Sequence, residues 1–256
     1  MNSRGSLRAA AIMFDLDGVL VDSMPAIRRY WLKWGRRQGI AAKTVLQSIH
    51  LPAAELVAVL APSLDASAEA ASAAAAYQIA RIPATPGSRE LLQSLPRERW
   101  AIVTSAARTV ALKRLNAAGL PEPRVLIAGE DSLRGKPEPF PYQLAAWCLG
   151  APVSACVAVE DSPAGIQSAI GAGMHVIAVA VASGESNIGA DAVISSLRAM
   201  RITVEPNTLN IDVKRISRRA TRLQRVPLRA SSGAAQAGKP SSREGWPKPR
   251  DPGANP

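Results

Sequence analysis

Short strand-like apolar runs alternate with helical patterns through most of the sequence, and that alternation leaves few folds open. "WAIVTS" (100–105), "RVLIAG" (124–129), "ACVAVEDS" (155–162) and "HVIAVA" (175–180) read as strands. Between them, "RTVALKRLNAAGL" (108–120), "FPYQLAAWCLG" (140–150) and "PAGIQSAIGAG" (163–173) read as helices, the last with Pro163 at its start. "ADAVISSL" (190–197) supplies a last strand and turn. Runs that are apolar throughout fit strands covered on both faces. Strand–helix alternation of this kind implies βαβ units around a parallel sheet. The first strand is read in Ala9–Phe14, six apolar residues without a helical period.

That first run ends on Asp15 and Asp17, one residue apart, followed by Gly18. Two carboxylates so close repel each other, so the pair needs a reason. On extended backbone residues i and i+2 point to the same side. Asp15 and Asp17 therefore present two acids at the C-terminal end of a strand, where open α/β sheets bind ligands. Such a pair suits Mg2+, which takes oxygen ligands, or a nucleophile beside an acid/base. The plain alternative is an acidic turn, since Asp and Gly are common turn residues. An EF-hand fits less well, because its glycine comes later in the loop.

A chain of 256 residues with 47% hydrophobic content supports a substantial core. Cys148 and Cys156 make neither a disulfide framework nor a CxxC metal site, so a reducing, cytoplasmic setting is expected. The apolar run behind Arg4 and Arg8 is too short for a signal h-region. No run approaches the roughly 20 apolar residues of a membrane span. The net charge of +11 is unevenly spread: after Val204, eleven basic residues face Glu205, Asp212, Glu244 and Asp251, so +7 of it lies there. That stretch is also rich in Pro, Gly and Ser, and reads as a disordered basic tail over residues 205–256. It lacks interleaved aromatics apart from Trp246, which argues against nucleic acid as a partner except through the tail's charge.

From about Pro25 to Arg81 the sequence is rich in Ala and Leu, with helical spacing and no strand pattern. Tyr30, Trp31 and Trp34 fall on one helical face, more in keeping with a packed stripe than a ligand platform. The expected architecture is an α/β core of Rossmann-like, three-layer type over residues 1–22 and 84–204. A helical cap over 23–83 interrupts it, and the tail follows.

Further polar residues follow the other strands. "AIVTSA" offers Thr104 and Ser105, "RGKPEP" offers Lys136, and "AVEDSPAG" offers Glu160 and Asp161. Each has a plain reading: a strand end, a solvated lysine, acids capping a helix. Adjacent parallel strands bring their ends together. Acids for a metal, a hydroxyl and amides for oxygens, and one lysine then make up the inventory of phosphoryl transfer.

"FDLDGVLVDS", "VTSA", "GKPEP" and "VEDSPAGIQSAIGAGM" resemble, in order, the four motifs of the haloacid dehalogenase superfamily. The resemblance spans about Ala10 to Leu197 and is to the branch with a helical cap after the first strand. Within it the chain looks closest to phosphatases of small sugar and polyol phosphates, such as glycerol phosphate or deoxysugar phosphates. The resemblance implies that Asp15 is the nucleophile, forming an aspartyl-phosphate, and Asp17 the acid/base. It implies that Thr104 and the Ser105 amide bind phosphoryl oxygens and that Lys136 neutralises charge. Mg2+ would sit on Asp15, the Asp17 carbonyl and Asp161, with Glu160 in support. In the cap, similar phosphatases carry His-Gly-Arg; here "QSIHLPAAELV" keeps His50 as a candidate substrate contact but has Leu51 and Pro52 next. The family's mutase branch has a histidine shortly after its first motif, and "DSMPAIRR" has none, which counts against a phosphomutase. The other rival is an impaired member that binds a partner through the tail. The expectation is a monomeric, Mg2+-dependent phosphatase acting on a small phosphorylated metabolite, without a membrane partner.

Overall fold

A computed structural model describes residues 4–49, 51–79, 82–132, 134–179 and 189–214. His50 and residues 215–256, the greater part of the expected tail, lie outside the described residues. The chain opens on β1 (Arg4–Ala9) and β2 (Ala11–Phe14), then runs through α1 (Met24–Arg37), α2 (Ala42–Ser48), α3 (Ala53–Leu60) and α4 (Ala66–Ile79). There follow α5 (Ser88–Ser94), β3 (Trp100–Val103), α6 (Arg108–Ala118), β4 (Val125–Ile127), α7 (Phe140–Leu149), β5 (Cys156–Glu160), α8 (Pro163–Ala172), β6 (His175–Val179) and β7 (Ala192–Ile194). The described part closes on β8 (Met200–Val204) and β9 (Leu209–Lys214).

β2 through β7 form one parallel sheet in the order β4-β3-β2-β5-β6-β7. Every side chain of β2, β3, β4 and β5 is buried, as continuous apolar runs require of a sheet covered by helices on both faces. Phe14 sits level with Ile102 on β3 and Val159 on β5, at the centre of a core that also takes in Trp100, Ile177 and Ile194. Each such side chain contributes roughly 1.5–3 kcal/mol by leaving water. The chain moves out from β2 to β3 and β4, then crosses back to β5 on the other side of β2. That reversal opens a crevice at the C-terminal ends of β2, β3 and β5, the place where sheets of this kind hold ligands.

The helices α1–α4 build a second cluster, with Trp31, Trp34, Val45, Leu56, Val57 and Ala73 at its centre. Trp31 and Trp34 meet edge to face at 5.3 Å, and Trp34 Nε1 donates to Glu69 Oε2 at 2.9 Å. Tyr30 packs against them, so the aromatic stripe of α1 is packing. The two chain crossings between this cluster and the sheet lie side by side: Asp22 N donates to Pro83 O at 2.8 Å and Thr85 N to Leu20 O at 2.9 Å.

The structure moves one boundary. Residues 209–214, which the sequence reading assigns to the tail, are strand. β9 lies between β1 and β8 in a small antiparallel sheet. Leu209, Ile211 and Val213 are buried while Asp212 and Lys214 are exposed. This period of two covers the main core with one face of the hairpin. The expected first strand is divided as well: β1 ends at Ala9 and belongs to the antiparallel sheet, and β2 begins at Ala11. No helix among the described residues is long and apolar enough to cross a membrane.

Candidate active site

Parallel register decides which side chains meet. Phe14 is level with Ile102 and Val159, so Asp15 emerges beside Val103 and Glu160, its N–H donating to Val159 O at 3.0 Å. Lys136, in the segment after β4, reaches into this gap. Its ammonium donates to Asp15 Oδ1 at 2.6 Å, to Glu160 Oε1 at 2.6 Å and to Val103 O at 2.9 Å. All three donors of the ammonium are thereby used. The Lys136 side chain is only 6% exposed, so the solvated-lysine reading does not hold.

Glu160 is fully buried. Besides Lys136, its Oε1 accepts from the Tyr142 hydroxyl at 2.7 Å. Its Oε2 accepts from the Asp161 and Ser162 amides and from Ser162 Oγ, at 3.1, 3.4 and 3.2 Å. Ser162 also caps α8 by accepting from Gly165 N at 3.1 Å, and Pro163 follows in the first turn. Gly165 leaves the space that Glu160 occupies: a Cβ there would lie 1.9 Å from Glu160 Oε1. Gly18 does the same for Asp161. Its φ is +85°, and a Cβ would fall 1.9 Å from Asp161 Oδ2.

Asp15, Glu160 and Asp161 each offer a carboxylate oxygen within 4.8 Å of the others. Burial pushes the Asp15 carboxyl up to about 7 against the opposing pull of Lys136, with Glu160 and Asp17 adding to the rise. Burial likewise raises Asp161 well above the usual carboxylate range, helped by Asp15 and Glu160. Burial alone would lower Lys136, but Asp15 and Glu160 outweigh it and hold the ammonium charged. The Tyr142 hydroxyl is pushed up by burial and by Glu160. Negative charge thus exceeds what one lysine offsets. A cluster of hard oxygen donors short of positive charge fits a dication such as Mg2+. Asp15 and Asp161 are the ligands this geometry favours, since both Glu160 oxygens already have partners.

The remaining predicted residues fall as follows. Thr104 is buried at the end of β3, next to the Val103 carbonyl that Lys136 holds; its N–H donates to Ile127 O at 2.8 Å and its Oγ1 accepts from Ala106 N at 3.1 Å. Ser105 follows it and is exposed. Asp17 lies in the turn after β2, and its Oδ2 is paired with the Arg114 guanidinium on α6. Leu51 packs into the helical cluster, and Pro52 is exposed and precedes α3. Tyr142 and Arg114 escape the sequence reading. Arg114 left a signal: Val110, Ala111, Arg114, Leu115 and Ala118 form the buried stripe of α6, and a charge within such a stripe needs a partner.

Residues 9–173 match the family model described as hydrolase, haloacid dehalogenase-like hydrolase. The chain is 41% identical over 212 residues to hexitol phosphatase A of Escherichia coli (strain K12), covering 78% of this chain and 97% of that protein. It is 32% identical over 190 residues to glycerol-1-phosphate phosphohydrolase 2 of Saccharomyces cerevisiae, covering 68% and 76%. In fold it resembles CbbY from Rhodobacter sphaeroides solved with phosphate, at a TM-score of 0.65 and 24% identity, over 74% of this chain and 95% of that one.

Proposed function

The chain belongs to the haloacid dehalogenase-like hydrolases, and from that premise we propose that it is a Mg2+-dependent phosphomonoesterase of small phosphorylated polyols or sugars. The observation that carries the proposal is the buried contact of Asp15 Oδ1 with Lys136 Nζ at 2.6 Å, beside Asp161 and Glu160. A carboxylate held there, with one oxygen fixed by a cation, is oriented for attack on phosphorus. Asp15 forms the P–O bond of an aspartyl-phosphate. Asp17 gives a proton to the departing alkoxide and then takes one from the water that hydrolyses the intermediate. The Thr104 hydroxyl has its acceptor side used by Ala106 N, which leaves its O–H to donate to a phosphoryl oxygen; the Ser105 amide donates to another. Lys136 offsets the charge shared by Asp15 and the phosphoryl group. Asp15, the Asp17 carbonyl and Asp161 would hold Mg2+, which would supply positive charge to offset the charge of the phosphoryl group.

The polyol or sugar class rests on the relatives that align over most of their length, a hexitol phosphatase and a glycerol-1-phosphate phosphohydrolase. The test is phosphate release from hexitol, glycerol, deoxysugar and nucleotide monophosphates, with Mg2+ or EDTA, beside Asp15→Asn. The expected result is release that requires Mg2+ and falls by roughly a thousandfold or more in the variant, as loss of a covalent nucleophile does. An isomerised ester in place of free phosphate would establish a phosphomutase. No turnover of any ester would overturn the enzyme reading.

A further inference from the structure

The acid cluster holds a second ion pair whose cation no motif supplies. Arg114 comes from the middle of α6, 97 positions from Asp17, and its Nη1 donates to Asp17 Oδ2. Its side chain is 7% exposed, on the stripe formed by Val110, Ala111, Leu115 and Ala118. A buried guanidinium on an apolar stripe is costly and persists when its charge is met. Asp17, for its part, follows Asp15 by two residues at the end of β2, and carboxylates placed so close repel each other. Lys136 has its three donors on Asp15, Glu160 and Val103 O, leaving none for Asp17. The other oxygen of Asp17, Oδ1, is buried and accepts no hydrogen bond among the described residues.

The geometry points to Arg114 as the positioning residue for the acid/base: it tethers Oδ2 of Asp17 within a repelling cluster and leaves Oδ1 as the oxygen that exchanges protons. The two cations then divide the work, Lys136 setting the nucleophile and Arg114 the proton donor. The inference rests on the proposed role of Asp17. In the step concerned, the bond from Asp15 to phosphorus forms, the bond from phosphorus to the leaving oxygen breaks, and a proton passes from Asp17 Oδ1 to that oxygen. An alkoxide needs that proton; p-nitrophenolate leaves without it. Arg114 therefore affects the two leaving groups unequally.

The experiment compares kcat/KM for a hexitol monophosphate and for p-nitrophenyl phosphate in the Mg2+-loaded enzyme and in Asp17→Asn, Arg114→Met, Arg114→Lys and the Asp17→Asn/Arg114→Met double variant. Thermal melts are recorded alongside. In Arg114→Met the value for the hexitol ester is expected to fall about 10- to 100-fold and that for the aryl ester less than about threefold, the size of a misplaced general acid. Arg114→Lys, which keeps a shorter cation, shows the same selectivity with a smaller loss. In the double variant the selective losses do not multiply, because one group acts through the other. Equal losses on both esters, or none, overturn the positioning role while a selective Asp17→Asn leaves the acid/base reading standing. If Arg114→Met fails to fold, Arg114→Lys decides by the same ratio. A loss in Asp17→Asn that is equal for both esters overturns both readings.

Discussion

Glu160 is the residue on which the site's geometry turns. One of its oxygens meets Lys136 and Tyr142, the other the amides that open α8. Its place is secured partly by what is missing at Gly165, whose hydrogen faces the carboxylate. Gly165→Ala puts a Cβ 1.9 Å from Oε1, so Glu160 and with it Lys136 must shift. Displacement on the scale of an ångström costs about a hundredfold in turnover, and steady-state kinetics on a variant with unchanged circular dichroism checks it. Tyr142→Phe is milder: it keeps the packing, removes one hydrogen bond to a charged acceptor, and lowers stability by about 1.5–3 kcal/mol in denaturant unfolding. Unaltered stability would mean the hydroxyl does not hold Glu160. At this scale the sequence is legible where chemistry is written in short strings. Asp15, Lys136, Glu160 and Asp161 follow apolar runs, and parallel register brings them together. Arg114 and Tyr142 stand within helices, and their partners are 97 and 18 positions away. Only the packed structure pairs them.

At the scale of elements, the continuous apolar runs of β2, β3 and β5 are readable because a strand covered on both faces admits little else. β9 is not, although "LNIDVK" alternates. Six residues are a short sample of a period of two, and the basic, Pro- and Gly-rich composition beyond them masks the pattern. The strand forms because β1 and β8, far apart in sequence, flank it and its buried face completes the core. Ile211 is fully buried in that face. Ile211→Ala should therefore cost about 2–4 kcal/mol, read as a lower urea midpoint with an unchanged slope. A loss below about 0.5 kcal/mol, as at an exposed site, would show that the hairpin does not belong to the core.

Across the whole molecule, the acid cluster ties stability to pH and to metal. Burial raises Asp15 from 3.8 to about 7 in the metal-free fold, against the pull of Lys136, and moves Asp161 in the same direction. A carboxyl raised by folding binds its proton more tightly folded than unfolded. Its contribution is complete below the unfolded value and is lost as pH climbs through the folded one. In EDTA the melting temperature is accordingly expected to fall between about pH 4 and about pH 7. Asp15→Asn, which carries no titrating group at that position, flattens the fall. Mg2+ reverses it, because a dication binds the ionised carboxylates and competes with their protons. The melting temperature gained on adding Mg2+ should be larger at pH 8 than at pH 5, and the fluorescence of the buried tryptophans follows it on heating. A metal-free melting temperature that is flat or rising across that window, with the same course in Asp15→Asn, would mean that the cluster is relieved by solvent and that Mg2+ has no excess negative charge to answer.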